Sequence, residues 1–218
     1  MSNQTVQLRP LGPPLADDER RRLQRRARSL AVGGIAWHVV EFAVALAAGV
    51  AASSIALVGF GADSLVEAFA GLVVVWLFTG PRLRSRSAER RAQQVIAGSF
   101  FALALFVGLE AARMLIRGDH PGVSWVGIGL AAVTAPTMPL LARAKRRLGS
   151  RLESSATVKE GAQNMICGYL SIALLVGLGA NALLGWWWAD PVAALAIAAV
   201  ALKEGRESWR GEGCCEAC

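Results

Sequence analysis

From Ser54 to Gly80 the chain is strongly apolar and carries only two charged residues, Asp63 and Glu67. A run of about 20 apolar residues is long enough to cross a bilayer as a helix. A charged side chain at the bilayer centre costs about 2.5–3.5 kcal/mol on insertion scales, so such groups face a polar pathway or a ligand rather than lipid. The i, i+4 spacing sets both carboxylates on one helix face. There they can converge on a single cation.

The rest of the chain repeats this apolar character. Of 218 residues, 54% are hydrophobic, and the mean hydropathy of +0.43 is too high for an ordinary soluble domain. Five segments have spanning length: Ala31–Ala52, Ser54–Thr79, Val95–Leu115, Val123–Leu141 and Gly161–Leu184. A sixth, Ala189–Leu202, is short but well marked at its start. Asp190 is placed to cap it, and Pro191 suits a first helical position. Trp186, Trp187 and Trp188 precede it, as expected at a membrane interface. No secretory signal peptide is read at the N-terminus, where the arginines precede a run longer than a signal core.

Lys and Arg alternate with these spans. The N-terminal arm holds seven, the 2–3 connection five, the 4–5 connection six and the C-terminal tail three, while only Arg113 and Arg117 fall in the other connections. Basic residues retained on the cytoplasmic side therefore predict an all-α, polytopic membrane protein with six transmembrane helices and both termini cytoplasmic. The expected organisation is a flexible basic arm over 1–29 that ends in a basic juxtamembrane helix at Arg20–Arg28, a six-helix domain over 30–210 and a cysteine-rich tail over 211–218. The cytoplasmic (inner) membrane is the expected location, with no nucleic-acid partner.

Several polar groups lie at membrane depth. Helix 5 offers Gln163 and Cys167, again i, i+4, with Asn164 between them. If that face meets Asp63 and Glu67, the four side chains form an O/O/O/S set; carboxylate and thiolate are good ligands for a divalent transition metal. The competing reading is helix–helix contact: Gln bonds neighbouring helices in membranes and Cys packs as a small apolar residue. Helix 1 adds His38 and Glu41 as accessory ligands, proton carriers or a structural pair. Glu110 and Arg113 read as an intrahelical pair, and Asp119 and His120 as a solvated turn. Pro136 and Pro139 in helix 4 remove backbone donors and promote a kink. Cys214, Cys215 and Cys218 at the tail suit capture of a soft or borderline ion, with lipidation as the alternative. No cysteine spacing predicts structural disulfides.

Three landmarks carry a family resemblance. The run Ser54–Glu67 is similar to a helix-2 motif with two acidic residues four apart. Gln163-x-x-x-Cys167 with Ser171 falls in the frame of a helix-5 His-x-x-x-Asp motif followed by Ser. Gly185 through Asp190-Pro191 looks like the start of the sixth helix. Together these resemble the cation diffusion facilitator (cation efflux) family over about 29–210, in its transmembrane domain only. The resemblance implies a bundle of helices 1, 2, 4 and 5 with helices 3 and 6 beside it, a homodimer, and exchange of cytosolic divalent metal for protons. Three departures stand out. Gln163 and Cys167 replace His and Asp, arginines replace a His-rich 2–3 loop, and the usual cytosolic C-terminal domain is lacking.

The expected function is therefore transport, not enzymatic catalysis. The chain needs no cofactor and carries a divalent ion as cargo: Zn first, with Cd, Co, Ni, Fe or Mn as alternatives. Asp63, Glu67, Gln163 and Cys167 form the expected transport site. Ligands shed protons when metal binds, which links release to protonation. A membrane metal-binding or regulatory protein without transport is the alternative, and a structural multipass partner is a further one.

Overall fold

A computed structural model describes residues 17–77, 86–152 and 155–210 of the chain. These residues form six α-helices: α1 (Asp17–Ala52), α2 (Ile55–Leu77), α3 (Arg86–Arg117), α4 (Trp125–Leu152), α5 (Ser155–Leu184) and α6 (Ala189–Arg210). There is no strand among the described residues. Four of the helices, α1, α3, α4 and α5, contain segments long and apolar enough to cross a membrane.

The helices outrun the apolar segments. α1 starts at Asp17, so Arg21–Arg28 is helical and continuous with the apolar part of α1. α3 starts at Arg86 and α4 runs on to Leu152, which turns most of the expected basic 2–3 and 4–5 connections into helix. Arg and Lys are good helix formers, so nothing local ends a helix where its apolar stretch ends. Arg151 at the end of α4 pairs with Glu19 at the start of α1.

α4 packs along α5, α3 along α6 and α1 along α2, while α2 also touches α3, α5 and α6. Small residues allow these approaches. A Cβ on Gly61 would lie 3.1 Å from Ala45 Cβ and from the Leu46 backbone nitrogen of α1, and one on Gly168 would lie 2.8 Å from Pro139 Cδ of α4. Close backbone approach at small residues drives helix association where lipid offers no hydrophobic gain. Phe60, Phe100, Leu57, Met138, Leu174 and Ile197 are fully buried between the helices. The outward faces expose Leu105, Leu109, Leu140, Val176 and Leu183.

The α1–α2, α3–α4 and α5–α6 connections meet at one end of the bundle. The Gly122 amide donates to Ala52 O (2.8 Å), Asn181 Nδ2 donates to Pro121 O (3.0 Å), and His120 stacks on Trp187 with ring centroids 5.1 Å apart. Asp119 and His120 are exposed, as expected of a solvated turn, with one face of the His120 ring laid on the α5–α6 connection. Gly185 ends α5 with φ 67°, and the amides of Gly185 and Trp186 bond back to Asn181 O and Ala180 O. The bond from Gly185 to Asn181 is that of an αL cap, which a left-handed glycine allows.

Asp190 departs from its expected role. Its carboxylate does not cap α6, which begins at Ala189. It crosses to α2, where Oδ1 accepts from Ser54 Oγ and Oδ2 accepts from the Ala56 amide at 3.2 Å. Ser54 Oγ also accepts from the Leu57 amide at 3.1 Å. The first turn of α2 has orphan amides, and the buried carboxylate accepts from them. The prolines of α4 leave it continuous, since no break appears between Trp125 and Leu152.

Candidate metal centre

Three helices supply a buried cluster at mid-bundle. The buried stripe of α2 repeats Phe60, Ser64, Glu67 and Ala68 with Asp63 beside it, so both acids turn inward. The α5 stripe holds Asn164, Cys167, Ser171 and Leu174. From α1, His38, Glu41 and Ala45 face inward at the same level.

Each of His38, Glu67 and Cys167 presents one ligand atom within 4.8 Å of the others. His38 Nδ1 lies 3.2 Å from Glu67 Oε2 and 2.9 Å from Glu41 Oε2. The second oxygen of Glu41 accepts from Thr134 Oγ1 of α4 at 2.6 Å. Glu41 is fully buried and both of its oxygens are engaged. Glu67 differs: its Oε2 is buried and has no hydrogen-bond partner among the described residues. Buried polar atoms are normally satisfied, so this open oxygen marks a place for a ligand.

Asp63 is buried one turn before Glu67. It stands outside the His38–Glu67–Cys167 triad and within electrostatic reach of Glu41 and of Glu204 on α6. Gln163 is only half-buried; the amide that reaches the cluster is that of Asn164. Asn164 Nδ2 lies 3.2 Å from His38 Nε2 and 3.3 Å from Met138 Sδ. Ser171 turns its hydroxyl to the Cys167 carbonyl at 2.8 Å. The structure thus brings together Glu67, Cys167, His38 and Glu41 of the expected residues. Cys214, Cys215 and Cys218 lie outside the described residues.

One member of this neighbourhood escaped the sequence reading. Lys145, counted above among connection residues, is inside α4 and only 1% exposed. Its Nζ donates to Glu160 Oε1 at 2.8 Å and to Asn164 Oδ1 at 2.9 Å. A signal was present. Ala131, Thr134, Met138, Ala142, Lys145 and Leu148 recur every three or four residues along one buried face of α4, the stripe of an inward-facing helix.

The geometry is that of a polar site enclosed by apolar helices, with ligand types suited to a divalent transition metal. The sequence model of the cation efflux transmembrane domain matches residues 87–210, more than half of the chain. The chain belongs to the cation efflux family. As a cation efflux protein it is a multi-pass integral membrane protein and a cation transporter. The cation efflux match covers α3 to α6; His38, Glu41, Asp63 and Glu67 on α1 and α2 precede it. Comparison with curated proteins finds no match.

Proposed function

We propose that this cation efflux protein exports a divalent transition metal, Zn foremost, from the cytosol in exchange for protons. The observation that carries this reading is the meeting of His38, Glu67 and Cys167 within 4.8 Å, with one Glu67 oxygen left without a hydrogen bond. Carboxylate, imidazole and thiolate are the ligand types zinc takes. Each must be free of its proton to bind, so cation and protons compete for the same lone pairs. That competition is the minimum required for exchange.

In this reading Glu67, Cys167 and His38 hold the ion directly. Asp63, one turn away on the same helix, receives it along the path or completes the set as the helices shift. Glu41 orients His38, since both of its oxygens are committed to His38 and Thr134. That hold is on Nδ1, the ring nitrogen beside Glu67, so it sets the ring while the site is empty and gives way when an ion takes that nitrogen. Gln163 stays a candidate on the half-buried side of α5. α2 and α6, of 23 and 22 residues, also cross the bilayer, which their length of about 33–35 Å permits. The distribution of Lys and Arg supports both termini on the cytoplasmic side of the inner membrane, and the family resemblance supports a homodimer. The cysteine tail, Cys214, Cys215 and Cys218, serves to collect the metal.

Titration of purified protein with Zn(II), Cd(II), Co(II) and Mn(II) tests the site. The Co(II) complex should show a thiolate charge-transfer band that disappears in Cys167→Ser. A Co(II) complex without that band would remove Cys167 from the ligand set.

A further inference from the structure

Lys145 is a buried cation beside a site built to hold a cation. It reaches that position because α1 has no side chain in its way: a Cβ on Gly34 would lie 2.8 Å from Lys145 Nζ. The ammonium spans two acceptors, Glu160 Oε1 and Asn164 Oδ1.

The consequence follows from donor and acceptor chemistry. An ammonium has donors only, so the Asn164 atom that faces it is the oxygen. The Asn164 nitrogen must then face His38 Nε2 and Met138 Sδ, and a sulfur acceptor there agrees with that orientation. An amide nitrogen only donates, so Nε2 of His38 is the accepting nitrogen and the ring hydrogen sits on Nδ1. That hydrogen points at Glu41 Oε2, on the nitrogen nearest the open oxygen of Glu67. A metal shared between Nδ1 and Glu67 needs the Nδ1 lone pair. The hydrogen must move to Nε2, and Asn164 must turn over to accept from it. Turning Asn164 over would set its NH2 against the Lys145 ammonium. The two arrangements differ in the nitrogen that carries the hydrogen.

We infer that Lys145 is a positioning residue that competes with the transported metal: through Asn164 it holds His38 in the tautomer that cannot coordinate through Nδ1, and metal binding at His38 requires its ammonium to leave Asn164 for Glu160. The inference rests on the metal site proposed above. It assigns to α4 a resident positive charge that stands in for the cargo while the site is empty. It also ties loading of the site to movement of a side chain at the α4–α5 contact.

The test uses the full chain in nanodiscs, with two readouts. The first is the 15N chemical shift of the two His38 ring nitrogens without metal, assigned with His38→Gln. The second is the affinity for Zn(II) measured by calorimetry. The native protein should show the Nδ1–H tautomer. Lys145→Met should lose that preference and bind Zn(II) about tenfold tighter or more, because a unit charge near the ion is gone. Gly34→Ala, which pushes the flexible end of Lys145 away without removing its charge, should tighten binding too, by a smaller factor. Glu160→Gln should weaken binding, since the withdrawn ammonium loses its acceptor. A lysine with a merely structural role predicts the same sign for Lys145→Met and Glu160→Gln and an unchanged tautomer; that result overturns the inference alone. Native protein that binds no Zn(II) overturns the metal-site reading and the inference with it.

Discussion

His38 Nδ1 lies 3.2 Å from Glu67 Oε2, and that carboxylate oxygen has no hydrogen-bond partner among the described residues. The imidazole belongs instead to Glu41, at 2.9 Å. Two buried carboxylates thus compete for one ring nitrogen, and one of them is left open. This asymmetry separates an orienting acid from a binding acid, and it generates the first prediction.

Glu67→Gln should abolish metal binding while the fold survives. The buried Oε2 makes no hydrogen bond, and the isosteric amide can still accept from the Cys167 thiol that bonds the Glu67 carboxylate. The expected loss of Zn(II) affinity exceeds the roughly tenfold to hundredfold cost of removing an outer partner of a metal site. Calorimetry together with thermal unfolding in detergent checks it. Retained affinity would exclude Glu67 as a ligand.

Thr134→Val should weaken both stability and binding. It leaves Glu41 Oε1 fully buried without its donor, and an unsatisfied buried acceptor costs about 1–3 kcal/mol. With Glu41 free to turn, the empty site loses its preset His38 ring, and Zn(II) affinity should fall, by less than in Glu67→Gln. Thr134→Ser keeps the hydroxyl and should restore most of both. Equal behaviour of the valine and serine variants would contradict the role given to Glu41.

The Ser54–Asp190 contact should behave in the opposite way. It joins the start of α2 to the start of α6, far along α2 from Glu67. Ser54→Ala should lower stability by about 1–3 kcal/mol through the buried carboxylate it leaves short of a donor. Zn(II) affinity measured on the folded fraction should stay within twofold of native, on the order of the scatter expected for distant, independent sites.

Cys167→Ser should change which ion is preferred. Thiolate favours softer ions, so the loss of affinity should be larger for Cd(II) and Zn(II) than for Mn(II). Competition titrations read the ratio directly. A uniform loss across all three ions would mean that Cys167 supports the site sterically without binding the metal.

Much of this arrangement was legible in the chain itself. The apolar runs and the arginine pattern predicted six helices, and the i, i+4 spacing of Asp63 and Glu67 placed both on an inward face. The spacing rule that paired Gln163 with Cys167 was less decisive, because i+3 and i+4 neighbours share a helix face equally well. The structure gives the inward position to Asn164, at i−3 from Cys167. Lys145 was hidden by charge counting: a lysine past an apolar run reads as a solvated anchor unless the buried stripe of α4 is followed beyond Ala142. The use of Asp190 on α2 was not legible at all. A cap formed across 134 residues of sequence depends on tertiary packing that no local pattern encodes.

The measurement closest to the central claim is zinc flux in proteoliposomes with and without an imposed pH gradient, comparing native protein with Glu67→Gln and Asp63→Asn. The account predicts proton-driven zinc movement in the native protein and background rates in both variants. Folded, zinc-binding native protein that moves no zinc under any gradient would contradict it, and would leave a membrane protein that binds metal without carrying it.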